Sequence, residues 1–182
     1  MRCLAGHHES TGPVKPFCHN GSAAYRRPMA DVVGIRPFTD DDRADVLLLA
    51  DRLCEGAAPW RPAQGFATAA REWLEDAAQA LGNDARQAWV AVVDEHVVGF
   101  AAAHLQRHFS GPLDAYLGEL VVDGQAEGRG VGRRLVAAVE AWARAAGAQF
   151  VTLETGAANA RARGFYRALG YAEEQVQLTR RL

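Results

Sequence analysis

The sequence predicts an α/β (α+β) fold, a sheet with helices packed against it. Three observations carry that prediction. Three β-rich runs follow one another at Ala88–Val93, Val97–Leu105 and Leu113–Val122. Amphipathic helical patterns precede and follow them, with apolar residues recurring every three or four positions. Between the last of these runs and the next helix lies a glycine-rich turn, Glu127-Gly128-Arg129-Gly130-Val131-Gly132.

Residues 1–31 mix His, Pro, Gly, Ser, Cys and Arg with neither helical nor strand period and read as a disordered tail; residues 32–182 read as one domain. Cys3, His7, His8, Cys18 and His19 in the tail match no standard zinc spacing, so no metal is expected. Gly34–Phe38 reads as a first strand, with Pro37 confining it to an edge or a strand end. Thr39 before Asp40, Asp41 and Asp42 is a helix N-cap with acids in the first turn, and that helix runs through Leu53. A loop with Gly56, Pro59 and Pro62 leads to a second helix near Ala67–Leu81, ended by Gly82-Asn83-Asp84. Asp94-Glu95-His96 joins the first two β-rich runs as a hairpin. Gly130–Ala146 is a helix with Val131, Leu135, Val139 and Trp142 on its apolar face, stopped by Gly147. Phe150–Leu153 reads as a strand, Asn159–Leu169 as a helix stopped by Gly170, and Tyr171–Leu178 as a final strand.

The glycine turn carries the chemistry. Glycines at every second position leave backbone N–H groups uncovered at a helix start, where unpaired donors and the helix dipole favour an anion. A P-loop would need GxxxxGK followed by Ser or Thr, and neither the Lys nor the hydroxyl is present. A dinucleotide fingerprint would need a small residue where Arg133 stands. What remains is a pyrophosphate held mainly by backbone amides, with arginines supplying charge.

These residues resemble the GCN5-related N-acetyltransferases, whose acetyl-coenzyme A signature is Gln/Arg-x-x-Gly-x-Gly/Ala. The turn matches at both glycine positions, with Glu127 in place of Gln or Arg. A carboxylate facing a pyrophosphate would weaken binding, so Glu127 is expected to turn away or pair with an arginine. Asn159-Ala160-Arg161-Ala162-Arg163-Gly164-Phe165-Tyr166-Arg167-Ala168-Leu169-Gly170-Tyr171 is similar to the family's later block. The likeness extends from about Ile35 to the C-terminus. It implies the GNAT fold, a mixed, mostly antiparallel six- or seven-stranded sheet flanked by helices on both faces.

The resemblance implies acetyl-CoA as co-substrate and a primary amine, on a small molecule or a peptide, as acceptor. Leu120, Val121 and Val122 would lend backbone groups to the pantetheine arm as an added strand would. Glu127, Gly128, Arg129, Gly130, Val131, Gly132 and Arg133 would hold the pyrophosphate, with Asn159 both capping its helix and touching the donor. Tyr166 would contact the donor and reprotonate the departing thiolate, and the alternative for it is a core tyrosine beside Phe165. Glu119 and Glu154 are the two candidates for accepting the amine's proton, and a salt-bridge role is the alternative for each. His104, His108 and Asp114 flank the substrate side and read as surface residues. A non-catalytic acyl-CoA-binding regulatory module and a different acyl donor stay open. The family allows a homodimer through the final strands.

Composition bounds the partners. The 182 residues carry a formal net charge of -2, are 23% charged and 49% hydrophobic, and include three cysteines. The acidic balance and the lack of basic tracts argue against nucleic acid. No apolar run approaches the roughly 18 residues of a membrane span. An odd set of irregularly spaced cysteines and no signal-peptide core lead to the expectation of a cytoplasmic protein.

Overall fold

The computed structural model describes residues 32–55, 58–79 and 84–181, with the side chains of 63 and 64 left aside. The expected tail and the expected end of the second helix lie outside the described residues. Five strands form one sheet in the order β1-β2-β3-β4-β5. They are β1 (Gly34–Pro37), β2 (Arg86–Val93), β3 (His96–Arg107), β4 (Leu113–Val122) and β5 (Phe150–Thr152). β1 to β4 are antiparallel neighbours, and β5 runs parallel to β4. The helices are α1 (Arg43–Leu48), α2 (Ala63–Gln79), α3 (Val131–Ala145) and α4 (Ala160–Ala168).

Strand alternation builds a core on each face. Trp89, Ala91, Ala101, Ala103 and Leu117 pack with Val131, Leu135, Val136 and Val139 of α3. The intervening Ala88, Val90, Phe100 and Ala102 pack instead with Val46 of α1 and with Ala70, Leu74 and Ala78 of α2. A two-residue period thus lets each strand serve both helical layers. Gly99 makes the α3 side possible. A Cβ there would stand 3.1 Å from Leu135 Cδ1, from Val131 Cγ1 and from the Val121 carbonyl oxygen, so α3 sits directly on β3 at this point.

The first helical segment differs from its expected single run. Asp40–Asp42 is a 3-10 turn, α1 ends at Leu48, and Ala50–Cys54 is again 3-10. Asp42 anchors the start: its carboxylate accepts from Arg36 Nη1 and Nη2 at 2.7 and 2.6 Å and from the Thr39 amide at 2.9 Å. The Arg36 guanidinium chiefly, with Thr39, holds the Asp42 carboxyl below the usual carboxylate range against its own burial.

The expected final strand at Tyr171–Leu178 does not form, and the sheet has five strands among the described residues rather than six or seven. Val176 and Leu178, within that stretch, are exposed. Glu173 is tied to α4 instead: Arg163 Nη2 pairs with it at 2.5 Å and Arg167 Nη2 with the same oxygen at 3.6 Å. Among the described residues no helix is long and apolar enough to cross a membrane.

Candidate functional site

The parallel pairing of β4 and β5 covers only Asp114–Tyr116 against Phe150–Thr152. β5 ends at Thr152, opposite Tyr116, and among the described residues the later half of β4 has no strand neighbour on that side. The Asp123 amide donates to the Val98 carbonyl at 2.8 Å, so by antiparallel alternation Val121 also faces β3 while Leu120 and Val122 turn their backbone groups into the opening. Val121 is therefore a correction to the expected set. Its side chain is buried against the α1/α2 layer and its backbone groups are directed to β3, which leaves the backbone groups of Leu120 and the amide of Val122 for an added strand, the Val122 carbonyl accepting from Arg52.

The glycine turn lies at the end of this opening. Asp123 caps the short 3-10 turn Gly124–Ala126 by accepting from the Gln125 amide at 2.7 Å. Gly128 and Gly130 then have φ of +72° and +78°, and a Cβ at either would meet nothing within 4 Å. The left-handed backbone is what requires glycine here, and it leaves the concave side open. The first intrahelical bond of α3 runs from the Arg134 amide to the Gly130 carbonyl at 3.1 Å. The amides of Val131, Gly132 and Arg133 precede it, at the positive end of the helix. Gly132 is small for another reason: a Cβ there would be 3.3 Å from Phe165 Cζ, so α3 and α4 meet at this residue. An open amide-lined cradle beside free strand backbone fits a ligand with a pyrophosphate and an amide-bearing arm.

Glu127 points at cations. Its Oε1 pairs with Arg52 Nη2 and its Oε2 with Arg161 Nη2. Arg161 first, then Arg52, hold its carboxyl below the usual range. Arg52 also pairs with Glu55 through Nη1 and donates from Nε to the Val122 carbonyl at 3.4 Å. Asn159 caps α4, accepting from the Ala162 amide at 2.9 Å, and its Nδ2 donates to the Glu55 carbonyl at 3.2 Å. Sequence reasoning missed Arg52 and Glu55, since nothing in their own neighbourhood marks them. The remaining arginines divide: Arg134 reaches the Val33 carbonyl at 2.6 Å, Arg163 and Arg167 bind Glu173, and Arg129 and Arg133 lie exposed at the cradle.

On the acceptor side a bulge sets the geometry. Ala102 pairs with Glu119 and Ala103 with Leu117, so Gly118 is the extra residue. The bulge brings Glu119 onto the same face as Tyr116. Burial, opposed by Arg86 and assisted by Asp76, pushes the Glu119 carboxyl up to about 7. Burial and the charges of Glu154 and Glu119 raise the Tyr116 phenol, so both candidate bases act on the same ring. Glu154 itself is exposed. His104 packs its ring 5.3 Å from that of Tyr116, and burial lowers its pKa. His108 bonds through Nδ1 to Ser110 at 2.6 Å in the β3–β4 connection.

Asp114 is a further correction, since it is 2% exposed rather than a surface residue. Its Oδ1, like Thr152 Oγ1, is buried without a hydrogen-bond partner where β4 and β5 still pair. Tyr166 lies on α4 between Phe165 and Tyr171, at ring distances of 5.1 and 5.6 Å. Burial pushes its phenol up to about 12, so it keeps its proton throughout the neutral range.

Residues 51–171 match the family described as the acetyltransferase (GNAT) family. The chain belongs to that family, whose co-substrate is acetyl-CoA. An aminoglycoside N(6')-acetyltransferase type 1 from Stenotrophomonas maltophilia is 32% identical over 126 residues, covering 65% of this chain and 82% of the relative. Among solved structures, aminoglycoside N-acetyltransferase AAC(6')-Iy in complex with CoA shares 22% identity at a TM-score of 0.63, over 85% of this chain and 98% of that one. A transcriptional regulator from Bacillus halodurans C-125 shares 20% identity at a TM-score of 0.59, over 82% and 99%. These two likenesses concern the fold.

Proposed function

We propose that this protein transfers the acetyl group of acetyl-CoA to a primary amine of a small, multiply cationic acceptor of the aminoglycoside kind, by direct attack of the amine. Acetyl-CoA, when bound, supplies an acyl group already activated as a thioester, so no nucleophile of the protein is required. The observation that carries the reading is Glu119. A carboxylate lifted to about 7 beside the β4–β5 opening is matched to accepting a proton from an amine near neutral pH.

Each remaining residue has a part. The amides of Val131, Gly132 and Arg133, with Arg129 and the open turn at Gly128 and Gly130, hold the phosphates. Leu120 offers its backbone groups and Val122 its amide to the pantetheine arm, and Asn159 fixes the start of α4 beside it. Tyr166, protonated at neutral pH, donates a hydrogen bond to the departing sulfur; its phenol at about 12 is a weaker acid than a thiol of about 8.5, so the thiolate's final proton comes from solvent. Glu154 and Glu119 together favour a cationic acceptor. The relative from Stenotrophomonas maltophilia supports the aminoglycoside class.

The test is thiol release from acetyl-CoA with an acceptor panel: aminoglycosides bearing a 6'-amine, spermidine, lysine and a peptide with a free N-terminus. The reading expects the highest kcat/KM on an aminoglycoside. Turnover confined to the peptide would overturn the acceptor class, and donor binding without turnover on any amine would leave the non-catalytic module.

A further inference from the structure

The residue that departs from the family signature is also the one that ties three separate elements together. Glu127 belongs to the turn before α3. Its two carboxylate oxygens take different partners, Arg52 from the 3-10 segment after α1 and Arg161 from the first turn of α4. Arg52 is held at three further points of its planar group and its surroundings: Glu55 takes Nη1, the Val122 carbonyl takes Nε, and Gly124 lies beneath it, with a Cβ there standing 3.7 Å from Arg52 Cζ. Glu55 in turn is tied to α4, through the bond from Asn159 to its carbonyl.

We propose that Glu127 is a positioning residue for the donor: its carboxylate gathers Arg52 and Arg161 at the cradle, and those two guanidinium groups, absent from the family signature, receive the donor's phosphates. This rests on the reading that the glycine turn holds coenzyme A. Without that carboxylate the two guanidinium groups would repel, and Arg161 would regain the rotamer freedom of a long exposed side chain, while Arg52 would keep its hold on Glu55 and the Val122 carbonyl. A shared carboxylate holds both in place before the ligand arrives. Each ion pair engages a terminal nitrogen, and a guanidinium offers five N–H donors in a fixed fork, so the pairing leaves donors for an anion. Arg129 and Arg133 stand exposed at the same turn.

The proposal makes a prediction opposite to that of the family signature. By the signature, Glu127→Gln restores a favoured residue and removes a negative charge, so donor binding should tighten. By the gathering role, Glu127→Gln weakens it, by about fivefold to tenfold, the scale of one ordinary hydrogen bond. The probe is coenzyme A itself, titrated by calorimetry into the purified full chain without acceptor, at two salt concentrations. Arg161→Gln is expected to weaken binding to a similar extent. The double variant should bind no more weakly than the weaker single one, since the two residues act as one unit. In turnover, Glu127→Gln should raise KM for acetyl-CoA and leave kcat unchanged. Circular dichroism and thermal melting of each variant separate loss of fold from loss of binding. Glu127→Gln binding coenzyme A as tightly as the wild type, or additive losses in the double variant, would overturn the gathering role. Failure of the wild type to bind coenzyme A would overturn the donor assignment beneath it.

Discussion

Glu119 and Tyr116 share one face of β4 because Gly118, between them, has no partner on β3. Without the bulge a three-residue separation would put them on opposite faces, since strand side chains alternate. The bulge thus brings a carboxylate shifted to about 7 to the ring that Glu154 also influences.

The pH dependence of turnover follows from that carboxylate. Glu119 accepts a proton only when ionised, so kcat/KM should rise through a pH near 7 and level off above it. Glu119→Gln should lower turnover and remove this inflection. The same shift acts on stability with a definite sign. A carboxyl whose folded pKa lies above its ordinary 4.5 binds its proton more tightly in the folded state, so it makes stability fall as pH rises from about 4.5 to about 7. Thermal melts of wild type and Glu119→Gln across that range measure the difference.

Tyr166→Phe tests the hydrogen bond to the departing sulfur. Loss of a positioned donor should cost about 100-fold to 1,000-fold in kcat, with KM for acetyl-CoA little changed. Because burial keeps the phenol protonated to about 12, the wild-type profile should show no loss from this group below pH 10. Unchanged turnover in the variant would make Tyr166 a core tyrosine packed on Phe165 and Tyr171.

Gly99→Ala tests the seat of α3. The added methyl meets two side chains and a carbonyl at 3.1 Å, so α3 must shift from β3. Overpacking of this kind costs about 1–3 kcal/mol, read as a lower midpoint in denaturant. Since α3 also carries the cradle amides, coenzyme A binding should weaken in the same variant.

Asp42→Ala removes the anchor of the first helical segment and leaves Arg36 and the Thr39 amide without their acceptor. A loss of about 2 kcal/mol is expected, the range for a charged hydrogen-bonded group. The pH signature has the opposite sign to that of Glu119. The Asp42 carboxyl is depressed in the folded state, so its stabilisation is present above the ordinary value of 3.8 and is lost as pH falls below it. Melts of wild type and variant should therefore converge in acid.

What the sequence made legible was local. β4 runs from Leu113 to Val122 as its β-rich pattern predicts, and Asn159 caps α4 as an asparagine before a helical run should. The open turn is readable because glycines at alternate positions announce it, and Gly128 and Gly130 do take the left-handed backbone. The pairing of Glu127 with arginines follows from charge alone, but one of the partners, Arg52, lies 75 positions away and has no periodic mark. Burial of Asp114 depends on β5 lying beside it, which no local pattern reveals. Tyr171–Leu178 shows the converse. It has strand-like residues, yet Glu173 finds Arg163 and Arg167 on α4, and no strand forms there.

The central claim is transfer of an acetyl group to an amine, and the most direct measurement follows both products at once. Purified protein is given acetyl-CoA and an aminoglycoside with a 6'-amine; free thiol is titrated while the acceptor's mass is recorded. The account predicts one added acetyl on the acceptor for each thiol released, with both signals reduced together in Tyr166→Phe and Glu119→Gln. Thiol release without an acetylated acceptor, or saturable coenzyme A binding with neither product, would contradict it.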